Sequence, residues 1–102
     1  MRKLVRFGFK EDADPKVIED DLALAIFSAE CVYGKPRVRM EAAYAVAKDG
    51  KTCVLDVSGE SGEAAARIFA GLAAARVGEN AFTVRQLPER NLAANKVLIG
   101  SK

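Results

Sequence analysis

The sequence predicts an α+β domain: one antiparallel sheet with two helices packed on one of its faces. Three observations point there. Two alternating runs within Arg37–Ser58 meet at Lys48-Asp49-Gly50-Lys51, and Asp-Gly between such runs is the strongest short-range hairpin signal. Two further alternating stretches, Leu4–Phe9 and Ala81–Leu87, lie near the ends. Between them sit two segments of helical periodicity, Pro15–Tyr33 and Ser61–Arg76. The order β-α-β-β-α-β is the split βαβ pattern of the ferredoxin-like fold. HPr-type open sandwiches share that element order and are the topological alternative. Residues 1–88 read as a single domain, and 89–102 as a C-terminal tail.

In the first strand, Val5, Phe7 and Phe9 alternate with Leu4, Arg6 and Gly8, which sends the aromatics to the core and Arg6 to the opposite face. Asp14-Pro15 opens the first helix: Asp14 can accept an orphan N–H, and Pro15 is pre-set for the first helical position. Ile18, Leu22, Ala25, Ile26, Ala29 and Tyr33 form an inward stripe. Val17, Leu24, Phe27 and Cys31 fall off it, so the helix is apolar on more than one side. Glu19, Asp20 and Asp21 read as carboxylates near the helix start. Gly34 ends the helix and Pro36 is expected to prevent its continuation.

For the hairpin, a type I′ turn at Asp49-Gly50 sets Val46 opposite Cys53, Tyr44 opposite Leu55 and Ala42 opposite Val57. Val38, Met40, Ala42, Tyr44, Val46, Cys53, Leu55 and Val57 then face the core. Arg37, Arg39, Glu41, Ala43, Ala45, Ala47, Thr52, Val54, Asp56 and Ser58 face away. The second helix has Ser61 as its expected N-cap and Ala65, Ile68, Phe69 and Leu72 on its apolar side. Gly71 inside it costs about 1 kcal/mol relative to Ala, which predicts a close backbone neighbour. Gly78 closes this helix. Phe82 and Val84 share one face of the last strand, Thr83 and Arg85 the other, and Pro88 stops it. In the tail, Lys96-Val97-Leu98-Ile99-Gly100 is either a short edge strand or a loose terminus.

Composition narrows function by exclusion. Half of the 102 residues are hydrophobic and 29% are charged, as in a folded globular domain. Sixteen basic against fourteen acidic side chains leave a net charge of +2, which disfavours a dedicated polyanion binder while permitting a local basic patch. There is no histidine, and with it goes the commonest general base and transition-metal ligand. Cys31 and Cys53 read as reduced, buried thiols. No run is long and apolar enough for a membrane span, and the expected compartment is the cytoplasm.

No motif carries chemistry. Ser58–Glu63, between a strand and a helix, has the position of an anion-binding loop, but lacks a P-loop or dinucleotide fingerprint and holds Glu60 and Glu63. The acidic residues Glu11, Asp12, Asp14, Glu19, Asp20 and Asp21 do not follow a calcium-loop pattern, since Pro15 and Lys16 interrupt it. No cofactor and no catalytic residue are assigned, and the balance leans away from an enzyme.

The uncovered sheet face is the informative surface. Alternation places Arg6, Arg37, Arg39 and Arg85 there with Glu41, Val54 and Asp56, as candidate interface or anion-binding residues. An RNA recognition motif shares the topology, but it stacks bases on aromatics where this chain has Arg6, Gly8, Thr52, Val54 and Asp56. The expectation is a non-catalytic interaction or regulatory module that binds itself, as a homodimer, or another protein, through the open face or the tail. Nucleic-acid binding by the four arginines is the alternative, and no membrane association is expected.

Overall fold

The computed structural model describes residues 3–87. Along the chain run β1 (Leu4–Phe9), α1 (Pro15–Tyr33), α2 (Lys35–Glu41), β2 (Tyr44–Val46), β3 (Thr52–Asp56), α3 (Glu60–Val77), a 3₁₀ turn (Glu79–Ala81) and β4 (Phe82–Leu87). The four strands form one antiparallel sheet in the order β2-β3-β1-β4. β3 is therefore inserted between β1 and β2, and β1 between β3 and β4. The tail falls outside the described residues, as does the expected strand at Lys96–Gly100.

Side-chain alternation and burial agree on which face of the sheet is covered. Phe7, Cys53 and Leu55 form one core cluster with Ile18, Leu22, Ala25, Ala66 and Phe69 from α1 and α3. The Phe7 ring meets the Phe69 ring edge-on at 4.8 Å, and Phe9 stacks on Phe82 at 5.2 Å. Burying a side chain the size of Phe69 contributes about 1.5–3 kcal/mol, so this aromatic seam is a main tie between sheet and α3. The predicted cap of α1 is present: Asp14 Oδ1 accepts the Lys16 N–H at 2.9 Å, with Pro15 in the first turn.

The hairpin register holds, with Tyr44, Ala45 and Val46 opposite Leu55, Val54 and Cys53. Its first arm is shorter than the alternation implied. Arg37–Glu41 is not strand but the body of α2, a seven-residue helix. Pro36 sits in its first turn and so opens a helix rather than barring one, which Gly34 permits with φ +90° between α1 and α2. Over seven residues a period of 2 and a period of 3.6 place Val38 inward equally well. Val38 is buried against Ala29 and Ala65 in a second cluster, whereas Met40, expected in the core, is 88% exposed.

Other expectations need correction. The turn is not type I′: only Gly50 has positive φ, its N–H donates to the Ala47 carbonyl at 2.9 Å, and Asp49 Oδ1 accepts the Lys51 N–H. Tyr44 and Val46 lie on the helix side but are exposed, Tyr44 by 56%, because β2 is an edge strand that the helices do not fully cover. Gly59, not Ser61, is the N-cap residue of α3, and Ser61 is buried inside the first turn. Gly71 has no neighbour close to where a Cβ would project; the close approach occurs at Gly62, whose Cβ would stand 2.4 Å from the Asp56 carbonyl. Asp21 is buried rather than a solvated helix-start carboxylate. Cys31 is exposed.

Candidate functional site

The pairing of strands turns the uncovered face into a grid. One row across the sheet is Ala45, Val54, Arg6, Arg85; the next is Thr52, Gly8, Thr83. Arg6 and Arg85 are thus direct cross-strand neighbours, both exposed, with Val54 on the other side of Arg6. Like charges placed opposite one another repel. A third row holds Asp56, Leu4 and Leu87, where Leu4 and Asp56 are themselves buried, so the open part of the face is the two rows through Arg6 and Gly8. Asp56, expected at the surface of this face, accepts the Ser58 N–H at 2.8 Å.

Arg37, Arg39 and Glu41 are not on that face, because α2 carries them away from the sheet. The expected four-arginine patch is reduced there to Arg6 and Arg85. Arg37 instead joins a network between α2 and α3. Its Nε donates to Glu41 Oε2 at 3.0 Å, its terminal nitrogen donates to Glu60 Oε1 at 3.0 Å, and its guanidinium lies 5.1 Å over the Tyr33 ring. Glu41 Oε1 accepts both the Ser61 hydroxyl at 2.7 Å and the Ser61 N–H at 3.0 Å. These donors favour the charged form, the Ser61 hydroxyl most and its N–H next, then Arg37, and hold the Glu41 carboxyl at about 2. Glu41 raises the Arg37 guanidinium in turn. The start of α3 does receive an anion, and it is the chain's own carboxylate.

The two thiols differ in their surroundings. Burial, aided by the charge of Asp49, pushes Cys53 up to about 11, so its thiolate is scarce at neutral pH. Cys31 sits on the outer side of α1 beside exposed Leu24 and Phe27. Among the described residues no group of three His, Cys, Asp or Glu side chains is placed to hold a metal ion. No helix among them is long and apolar enough to cross a membrane.

Two concavities flank the sheet on its helix side. One, of about 310 Å³, lies between Pro15–Leu22 of α1 and Val46, Gly50 and Cys53. The other, of about 320 Å³, runs along β4: Val5, Phe7 and Val84 floor it, Ala66 and Ala70 of α3 wall it, and Glu63 and Arg67 stand at its rim. Those two rim charges pair with each other at 2.9 Å. The alternation of Phe82 and Val84 in the sequence hints at this groove. The Glu41–Ser61 contact has no sequence signal, since it depends on α2 forming. No protein-family model matches the chain, and no curated protein or solved structure matches it.

Proposed function

We propose that the protein is a small non-catalytic interaction module, ferredoxin-like in its arrangement of strands, that self-associates through its sheet. The strand order β2-β3-β1-β4, with each βαβ unit split by an inserted strand, supports the ferredoxin-like reading; α2 is an addition to it. The observation that carries self-association is the set of apolar side chains left in solvent at both sheet edges: Tyr44 and Val46 on β2, and Val84 on β4. Edge strands in monomers are usually blunted by charge, proline or a covering element. The open face, with Ala45 and Val54 beside Arg6, is a second contact surface of the same sheet. Sedimentation of the full chain tests the reading, and a species at the protomer mass of 10.9 kDa across the micromolar range removes it. Val54→Arg then tells face from edge, because a dimer through the open face dissociates and one through an edge survives.

A second reading, binding of a nucleic-acid backbone, has the Arg6–Arg85 pair in its favour, since two like charges held side by side are offset by a phosphate between them. Arg37 and Arg39 contribute nothing on that face. Salt-dependent binding of single-stranded RNA or DNA that is lost in Arg6→Ala/Arg85→Ala supports it, and no binding at low salt excludes it.

A further inference from the structure

We infer that residues 96–100 return antiparallel along β4 as a fifth strand of the sheet and close the groove between β4 and α3. This goes beyond the self-association reading and does not need it: Val84 passes to the chain's own tail, while Tyr44, Val46 and the open face remain for a second copy.

Backbone geometry prepares β4 for one more strand. Lys10 N–H donates to the Ala81 carbonyl, and β1 and β4 keep that register, with Arg6 opposite Arg85 and Gly8 opposite Thr83. Hydrogen bonding alternates along an antiparallel strand. Thr83, Arg85 and Leu87 therefore direct their N–H and C=O toward β1, while Phe82, Val84 and Gln86 direct theirs outward. Among the described residues no strand lies beyond β4 to receive them. The side chains of these outward residues lie on the helix side, where Val84 is 52% exposed and floors the groove beside Ala66 and Ala70.

The chain itself supplies the occupant. The groove reaches the end of β4 at which residues 88–102 begin: Gln86, opposite Val5 and next to the last strand residue Leu87, lines it. A segment tethered at that point is present at an effective concentration on the order of millimolar, far above a second copy or a foreign strand in dilute solution. Its one apolar run is Lys96-Val97-Leu98-Ile99-Gly100, whose alternation sets Val97 and Ile99 on one side and Leu98 on the other. Eight residues, 88–95, separate this run from β4. That is more than a reversal of direction needs, and Asn91 and Asn95 suit turn positions.

Charge selects the register. Setting both Val97 and Ile99 opposite the outward residues Phe82, Val84 and Gln86 leaves two pairings. Ile99 opposite Phe82 puts Lys96 directly opposite Arg85, and like charges so placed repel. Ile99 opposite Val84 instead brings Val97 opposite Gln86, Leu98 opposite Arg85 and Gly100 opposite Thr83, and moves Lys96 to Leu87. The next outward position is Pro88, which has no N–H to donate, so the hydrogen-bonded ladder ends at Gln86 and Val97. Neighbouring strands lie about 4.8 Å apart, so Ile99 and Val97 cover Val84 and shut the open side of the groove.

The test is residue-resolved amide exchange on the full 102-residue chain, with the mass followed by sedimentation at each concentration. The expected result is slow exchange at Val84, Gln86, Val97 and Ile99 and fast exchange at Leu98, unchanged on dilution, with a close Hα–Hα contact between Arg85 and Leu98. Ile99→Pro removes the N–H that meets the Val84 carbonyl and is expected to speed exchange at Val84 and Gln86 at least about tenfold. Thr83 and Arg85, held by β1, stay protected and show that the sheet is intact. Ile99→Asp keeps the N–H but sets a charge against Val84, and is expected to give the same loss. Exchange at Val84 and Gln86 as fast as at Leu98, or slow exchange that survives both variants, overturns the inference. Protection that appears only as concentration rises also overturns it, because the covering strand then comes from another molecule. A protomer mass with the alternating protection supports the inference and removes the self-association reading; a dimer with fast exchange at Val84 and Gln86 does the reverse.

Discussion

Glu41 reaches from the last turn of α2 into the first turn of α3, where one carboxylate oxygen accepts both the hydroxyl and the backbone N–H of Ser61. A helix N-terminus leaves N–H groups without intrahelical partners, and a carboxylate both satisfies one of them and complements the helix dipole. Gly59 has no side chain to perform this task, so the cap is supplied by another element. The same contact fastens the hairpin's leading segment to the second half of the chain.

This cap makes stability depend on acid. An unperturbed carboxyl of this type titrates near 4.5, and Glu41 in the fold is held at about 2. A depressed folded value means that the contribution is complete above about pH 4.5 and is lost as pH falls toward 2. Thermal melts from pH 7 to pH 2.5 should show a falling Tm through that window. In Glu41→Gln the Tm at pH 7 should drop and the acid limb should flatten. An unchanged acid limb in the variant would show that other carboxylates account for it.

Gly62 and Gly71 lie in the same helix and should respond oppositely to alanine. At Gly62 the new methyl would stand 2.4 Å from the Asp56 carbonyl, which is backbone and cannot turn aside, so Gly62→Ala should destabilise by about 1–3 kcal/mol. At Gly71 nothing lies within 4 Å, and Gly71→Ala should stabilise by about 1 kcal/mol through helix propensity. Chemical denaturation of the two variants measures both; stabilisation by Gly62→Ala would mean that the β3–α3 junction is looser than its geometry implies.

The contrast between these glycines also marks where the sequence could be read. Strand periodicity, the Asp14-Pro15 helix start and the Asp-Gly hairpin are local signals, and all reappear in the fold because each needs only a few neighbouring residues to be satisfied. The register survived an incorrect turn type, since a type I turn with Gly50 at positive φ joins the same pairs. Arg37–Glu41 failed because alternation over five residues is compatible with one turn of helix, and the deciding facts are tertiary: Val38 has a pocket between Ala29 and Ala65, and Glu41 has Ser61. The open-face patch lost Arg37 and Arg39 for that reason alone. The β4 groove depends on where α3 rests across the sheet, which periodicity does not encode.

The two thiols should separate in a native-state titration. Cys31 is exposed, whereas Cys53 is buried and pushed up to about 11. At pH 8 a disulfide reagent should modify one thiol promptly and the second only on denaturation, and Cys31→Ser should abolish the prompt phase. Two prompt thiols in the native protein would place Cys53 outside the core.

Asp21 and Arg76 supply the remaining long-range test. Asp21 Oδ1 is buried on α1, its side chain 3% exposed, and Arg76 Nε of α3 stands 3.0 Å away without directing its N–H at the oxygen. The contact is an ion pair rather than a well-formed hydrogen bond. Arg76 is half in solvent and can be hydrated when its partner is lost, but Asp21 cannot. Removing the two ends should therefore be unequal. Arg76→Ala strands a buried carboxylate and should cost about 1–3 kcal/mol, whereas in the double variant Asp21→Ala/Arg76→Ala that penalty largely disappears. Arg76→Lys should fall between wild type and Arg76→Ala. A double-mutant cycle by urea denaturation reads the coupling, and a double variant no more stable than Arg76→Ala would mean that water already reaches Asp21 and that the α1–α3 seam is held by its apolar contacts alone.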